Sequence, residues 1–297
     1  MRSFILVPLS CAVAGMVLSF LLIFAGNKPG FMEEYQIVTL NTSTLGHDLL
    51  PKMPKTNSPI PISTPFDDLY NSASGITDQV DGILNNVIDD LSRSLGIQQW
   101  YGWHLRNFCE GMYKPNATSP SASFDVTDCS KPTAVYHFKI ADIIDKQLQV
   151  GPLHIGLDKL KWPDSIQKNF DQLSTALHAA LAFYAISVVA AGISIFTGLV
   201  ILFGSDSLLL SLVNMACLFM SFFSLFIASI IITVVNSKSL KTVNENGNKI
   251  GLYAYKGHKY LALTWSSMAV MLLAVLSFAA LMLTRKRRGG KMGPIKS

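Results

Sequence analysis

Apolar and polar residues are segregated along this chain into long blocks. Four windows, at 4–25, 176–203, 208–235 and 260–284, contain no Asp, Glu, Lys or Arg. A bilayer core is about 30 Å thick, and a helix rising 1.5 Å per residue crosses it in roughly 20 apolar residues. Because lipid offers no hydrogen-bond partner to an open backbone, each window predicts a membrane-spanning helix.

These windows predict an all-α membrane protein, a four-transmembrane-helix bundle with one large disulfide-containing extracellular loop. The first span lies in 1–26, the large loop in 27–175, the second span in 176–203, a turn in 204–207, the third span in 208–235, a second outer loop in 236–259, the fourth span in 260–284 and a basic tail in 285–297. A cleaved signal peptide is the alternative for the first window. Its run of about 22 apolar residues is longer than such peptides carry and no small-x-small site follows, which favours a retained span.

The distribution of basic residues predicts how the chain is oriented. Arg2 precedes the first span, and six basic residues follow the last one: Arg285, Lys286, Arg287, Arg288, Lys291 and Lys296. The positive-inside rule then places both termini in the cytoplasm and the loops 27–175 and 236–259 outside. Five lysines in the second loop oppose this orientation: Lys238, Lys241, Lys249, Lys256 and Lys259.

Two features of the large loop favour the orientation with that loop outside. Asn41 and Asn116 begin glycosylation acceptor sequences, which are used only in the secretory lumen. Cys109 and Cys129 are the only cysteines outside the four windows. In an oxidising compartment this pair predicts a disulfide, worth roughly 3 kcal/mol for a loop of about 20 residues; two unpaired thiols are the alternative.

The large loop divides by local pattern into three parts. Five prolines in 51–65 predict a semi-rigid spacer. Residues 76–95 carry apolar side chains at steps of three and four, which predicts an amphipathic helix. This helix either packs on the loop or binds a partner helix, because its acidic polar face is unsuited to anionic lipid. Residues 100–140 form the predicted disulfide module.

An aromatic cluster precedes Cys109 in this module. Trp100, Trp103 and Phe108 are the residues that we expect to form its core, since aromatic side chains beside a disulfide are typical of small extracellular domains. After the module, apolar residues at helical spacing from 162 to 177 predict a helix that continues into the second span. The second loop, 236–259, is predicted to be a plain hairpin loop.

Composition and motifs do not indicate an enzyme. Apolar residues make up 50% of the chain and charged residues 14%, against about 25% charged in soluble domains. We find no phosphate-binding loop, dinucleotide fingerprint, zinc-protease helix or nucleophile elbow, so no catalytic, cofactor or metal residue is predicted. The spans lack the ionisable residues that mark transporters. Nothing in the composition indicates nucleic-acid binding.

The tail offers the one charged cluster with a candidate ligand. Arg285, Lys286, Arg287 and Arg288 directly follow the last span, where each basic residue attracts anionic inner-leaflet lipid by about 1 kcal/mol. Phosphoinositides are included in that class. A purely topogenic role for these residues is the alternative.

Four short segments resemble one known family. They are GWHLRNFCEG at 102–111, CSKP at 129–132, LKWP at 160–163 and GHKYLALTW at 257–265. They are similar to the fungal Sur-seven/PalI family of cortical-patch tetraspan proteins, a distant relation of the claudins. Two departures are the short tail and the absence of the claudin Gly-Leu-Trp order.

The resemblance implies a multi-pass plasma-membrane protein that organises eisosome-type cortical domains, with roles in cell-wall organisation and endocytosis and no catalysis. It also implies a small claudin-like β element in the outer loop. The expected partners are the bilayer, other cortical membrane proteins and further copies of the chain. Two alternatives are an accessory subunit of an ambient-pH or stress-sensing complex, and a regulator of calcium entry or membrane fusion in mating. The short tail counts against signalling through that segment.

Overall fold

The computed structural model of the protein describes residues 5–43, 98–114, 123–132, 164–204, 207–248 and 252–289, with the backbone alone at 164–173, 246 and 286–289. The predicted spacer at 51–65, the predicted helix at 76–95 and the acceptor sequence at Asn116 lie outside the described residues.

Four long helices dominate the described part of the chain. They are α1 (Leu6–Phe24), α2 (Asp164–Phe203), α3 (Leu208–Gly247) and α4 (His258–Gly289). Each contains a window long and apolar enough to cross a membrane. The prediction of a four-span membrane protein is therefore confirmed.

Two helices extend twelve residues beyond their membrane windows. Helix α2 begins at Asp164, before the window that starts at 176, as the helical spacing from 162 to 177 predicted. Helix α3 continues to Gly247, so the prediction of a plain loop over 236–259 is wrong. The physical reason is that hydropathy marks where lipid ends, whereas a helix continues into water when tertiary packing stabilises it, as the packing of Val243 on the sheet does for α3.

A five-stranded antiparallel sheet lies at one end of the bundle. Its strands are β1 (Val38–Asn41), β2 (Trp100–Trp103), β3 (Phe108–Lys114), β4 (Ser123–Cys129) and β5 (Tyr253–Lys256), in the order β4-β3-β2-β1-β5. This sheet confirms the small β element. Strand β5 comes from the second loop, between α3 and α4, and pairs directly with β1, which follows α1. Because the chain passes along the bundle four times, the start of α1 and the end of α4 both lie opposite the sheet.

The helices pack in a ring in which α1 contacts α2 and α4, and α3 contacts the same two helices. Small residues allow the close approach of α1 and α4: a Cβ atom on Gly15 would lie 2.4 Å from the Met271 sulfur. On the same interface the hydroxyl oxygens of Ser19 and Ser267 are 3.4 Å apart. Small side chains at helix interfaces are typical of membrane bundles.

Buried hydroxyl and amide groups connect the helices through hydrogen bonds. Thr264 of α4 contacts the hydroxyl oxygens of Tyr184 on α2 (2.6 Å) and Ser229 on α3 (2.9 Å). The amide oxygen of Asn214 on α3 accepts from Ser194 (2.7 Å) and Thr197 (2.9 Å) on α2. These polar groups of the spans are thus satisfied inside the bundle, while apolar side chains on the outside face lipid.

We predict that Thr264→Val destabilises the bundle because it removes the hydroxyl that joins α2, α3 and α4. The free energy of unfolding should fall by about 1 kcal/mol, the usual scale for such bonds in membranes. The measurement is thermal unfolding of the detergent-solubilised protein. Thr284→Val, at an exposed position of the same helix that bonds only within its own turn, is the matched control. Equal melting temperatures for both variants would contradict the prediction.

Candidate functional site

The predicted disulfide joins β3 to β4. Cys109 and Cys129 are directly opposite in the strand register and their sulfur atoms are bonded. Cys109 is fully buried, and Cys129 is half-buried at the end of the edge strand. The pair therefore fastens β4 covalently to the sheet. Cys11 and Cys217, the two free cysteines, lie in α1 and α3.

The predicted aromatic core is divided between the two faces of the sheet. Trp100 is buried and stacks on Phe124 of β4, with ring centroids 4.4 Å apart. Gly102 makes room for this ring, since a Cβ atom there would lie 2.4 Å from it. Trp103 lies on the opposite face, against the helices, because side chains alternate along a strand. Phe108 is only half-buried.

The junction between sheet and bundle is centred on Gly26, two residues after the end of α1. Its carbonyl oxygen accepts a 2.7 Å hydrogen bond from the side-chain amide of Asn107. The sulfur of Cys109 lies 3.4 Å from the same oxygen; this is a contact and not a hydrogen bond, because a disulfide sulfur carries no proton. Gly26 has a φ of +70°, a conformation that favours glycine. The disulfide and the first span therefore meet at one peptide group.

His104 fills the space that the missing side chain of Gly26 leaves. A Cβ atom at that glycine would lie 2.2 Å from the imidazole ring. The ring donates from Nε2 to the carbonyl oxygen of Glu33 (3.2 Å), while Nδ1 is buried and has no hydrogen-bond partner among the described residues. Burial lowers the pKa of His104 from 6.5 to about 4, and the Glu33 bond opposes this shift only in part. His104 is therefore neutral at neutral pH.

Helices α3 and α4 are also tied to the sheet. The side-chain amide of Asn236 donates to the carbonyl oxygen of Ile37 (2.7 Å), just before β1. The amide of Asn244 bonds both backbone groups of Ala254 in β5, donating to its oxygen (3.2 Å) and accepting from its nitrogen (2.8 Å). Lys259, at the start of α4, forms an ion pair with Glu34. The sheet is thus held by three of the four helices.

A small apolar cavity lies between the sheet and the helices. It is lined by Ile37, Val38, Leu40 and Trp103 on the sheet side and by Leu177, Val235, Ser239 and Val243 on α2 and α3. Its volume of about 10 Å³ is close to the minimum that one water needs. It is a packing defect rather than a ligand pocket.

The remaining predicted residues lie away from this junction. Asn41 ends β1, and its side-chain oxygen accepts hydrogen bonds from the backbone (2.9 Å) and hydroxyl (2.6 Å) of Ser43. Arg285 is half-buried near the end of α4, at the opposite end of the bundle. Lys286, Arg287 and Arg288 continue that helix, but their side chains are not among those described.

Sequence reasoning missed the residues that form the junction itself. Gly26 is separated from His104 and Asn107 by about eighty positions along the chain, and no local spacing connects it to them. The one available signal was the glycine after the first apolar window, where a left-handed conformation is common at helix ends.

One comparison with known proteins identifies a family. A model of the SUR7/PalI family matches residues 4–277, from the first span into the last. Neither a curated protein nor a solved structure matches the chain.

We predict that the stability of the protein falls between neutral pH and pH 5 because of His104. The unfolded chain binds a proton near pH 6.5 and the folded protein only near pH 4. The unfolded state therefore binds more protons in this window, and acidification favours it. The loss at pH 5 is about 2 kcal/mol for this group. It should appear as a lower melting temperature of the purified protein at pH 5 than at pH 7.5.

His104→Gln should remove much of this pH dependence while it lowers stability at pH 7.5. His258→Gln is the matched control, since His258 is exposed at the start of α4. If His104→Gln keeps the full decrease in melting temperature between the two pH values, the assignment to His104 is wrong.

Proposed function

The chain belongs to the SUR7/PalI family, and on that premise we propose that it is a non-enzymatic tetraspan protein that organises cortical domains of the fungal plasma membrane. These are domains of the eisosome type, with consequences for cell-wall organisation and endocytosis. Its partners are the bilayer, other cortical membrane proteins and further copies of the chain.

The orientation that we propose has the sheet outside the cell and both termini in the cytoplasm. The basic cluster at the end of α4 lies opposite the sheet and supports this arrangement by the positive-inside rule. The disulfide and the acceptor Asn41 both lie on the sheet side, and both require the secretory lumen. Arg285 and the three basic residues that follow it then meet the anionic inner leaflet.

The observation that carries the proposal is the junction at Gly26. An organiser must transmit a contact made outside the membrane to the position of its helices within it. Here the disulfide-bearing strand β3, the turn at His104 and the end of α1 pack around one peptide group, with Asn107 bonded to it. The outer sheet and the bundle are therefore expected to move as one body, because buried hydrogen bonds are costly to break.

The lipid-facing surface of the bundle supports lateral association. Four phenylalanines of α3, Phe219, Phe222, Phe223 and Phe226, form a cluster with neighbouring ring centroids 4.8–6.4 Å apart. Phe219 and Phe223 are among the exposed large side chains of the bundle. Aromatic clusters of this kind offer large contact areas to a neighbouring helix.

We test the organiser role by imaging a fluorescently tagged copy in living fungal cells. The wild-type protein should form stable cortical patches that recover slowly after photobleaching. Asn107→Leu removes the amide that joins the turn to Gly26, and we expect it to reach the plasma membrane but to spread uniformly. Asn248→Leu, the same change at an exposed position after α3, should keep the patches. Fluorescence of the wild-type protein that is uniform along the membrane, or that lies on internal membranes, would contradict the proposal.

We test the orientation by glycosylation at Asn41. If the sheet lies outside, glycosidase treatment should increase the gel mobility of a copy in which Asn116 has been replaced by Gln, through loss of one glycan. The additional change Asn41→Gln should abolish this shift. Failure of both asparagines to carry sugar, together with alkylation of Cys109 in unreduced protein, would place the sheet in the cytoplasm.

A further inference from the structure

Arg106 is held at the membrane end of the sheet with no carboxylate partner among the described residues. It lies in the turn between β2 and β3, which a backbone bond from His104 to Asn107 closes (2.9 Å). Its guanidinium carbon is 5.4 Å above the centroid of the Phe24 ring, within the range of a cation–π interaction. The turn is fixed to Gly26 by Asn107, so the position of Arg106 is set by the junction.

The two acidic residues of the segment between α1 and β1 have other partners. Glu33 accepts a 2.8 Å hydrogen bond from the backbone of Gly30. Glu34 pairs with Lys259. Among the residues that the structure describes, none provides a carboxylate to Arg106. Within these residues the guanidinium therefore has hydrogen-bond donors available for an anion.

A stripe of exposed apolar side chains runs along α1 directly below Arg106. Phe24 stacks on Phe20, and both rings are 38–39% exposed on a helix that crosses the membrane. Val17 and Val13 continue the same face at helical spacing and are also exposed. We define the α1 stripe as these four residues.

The length of the α1 stripe matches one leaflet of a bilayer. Val13 and Phe24 are separated by 11 steps (24 − 13), which rise about 16 Å at 1.5 Å per residue. The hydrocarbon core is about 30 Å thick, so the length of the stripe is close to the hydrocarbon thickness of one leaflet. Phe24 ends the helix, and Arg106 above it is therefore at the level of the headgroups.

We propose that Arg106 and the α1 stripe bind one phospholipid of the leaflet on the sheet side. Its phosphate pairs with the guanidinium of Arg106, and one acyl chain lies along Val13, Val17, Phe20 and Phe24. The choice of a phosphate follows from charge complementarity, since Arg binds phosphate through two parallel N–H bonds. A sterol or a diacylglycerol would cover the stripe and leave the cation unpaired. The inference depends on the membrane-spanning fold and not on the proposed function.

The test is photo-cross-linking of the full-length protein in detergent micelles. The probe is phosphatidylglycerol with a diazirine in the middle of one acyl chain, and labelled peptides are identified by mass spectrometry. We expect labelling within residues 13–24 of the wild-type protein. Arg106→Gln should reduce it by about tenfold, the cost of losing a charge-assisted bond. Lys28→Gln removes an exposed cation four residues after Phe24 and should leave labelling unchanged.

A diacylglycerol with the same diazirine chain separates headgroup binding from simple contact with lipid. It should label 13–24 weakly and equally in wild type and Arg106→Gln. Strong labelling by this neutral lipid, or unchanged labelling of Arg106→Gln by phosphatidylglycerol, would overturn the proposal. Resistance of Cys109 and Cys129 to alkylation before reduction checks that each variant has folded.

Phe24→Leu provides a second variant that keeps the charge of Arg106. It replaces the ring beneath the guanidinium by another apolar side chain, which keeps the α1 stripe apolar, and we expect several-fold weaker labelling because the cation loses its support. If Arg106→Gln fails the folding check, this variant decides: full labelling of Phe24→Leu by phosphatidylglycerol would refute a site built on the ring and the cation.

Discussion

The packing of His104 against the bare backbone of Gly26 is the constraint on which the rest of the structure depends. It sets the direction in which the chain leaves α1, because any side chain at that position would collide with the imidazole ring. The same glycine carbonyl receives the Asn107 amide and touches the Cys109 sulfur. One peptide group thus positions the first span, the turn between β2 and β3 and the disulfide relative to one another. The neutral imidazole is a condition of this arrangement, since burial disfavours its charged form.

The two edge strands of the sheet, β5 and β4, are protected from pairing with a further strand in different ways. On one side, the Asn244 amide occupies the outward backbone groups of Ala254, so a further strand has nothing to bond there. On the other side, the edge strand β4 carries Asp125, which pairs with Lys114 of β3, and Asp128, and charged side chains on an edge disfavour a further strand. Both devices oppose uncontrolled pairing between sheets of neighbouring molecules.

The parts of the fold that were predictable are those recorded in local sequence. The four spans follow from apolar windows, and the Cys109–Cys129 pair from elimination of the cysteines in those windows. The length of α3 and the strand β5 were not predictable in this way, because polar residues in water are compatible with helix, strand or loop. Strand β5 exists only because β1, from the other end of the chain, provides its partner. The Gly26 junction was missed for the same reason: its members are adjacent only after the sheet has formed.

Within the bundle, the driving force for association differs from that of the sheet. Lipid tails are as apolar as leucine, so burial of apolar side chains does not hold the helices together. The specific contacts are instead the close approach at Gly15 and the hydrogen bonds that centre on Thr264 and Asn214. Because these polar groups bond to one another inside the bundle, the outer surface of the helices can be apolar. Specific recognition is then expected at the margins of that surface, near the helix ends. The membrane end of the sheet is such a margin, and there the Arg106 cation is fixed above a lipid-facing ring. Recognition of particular lipids or neighbours is therefore expected at the ends of the helices, where charge and apolar surface meet, rather than along their length.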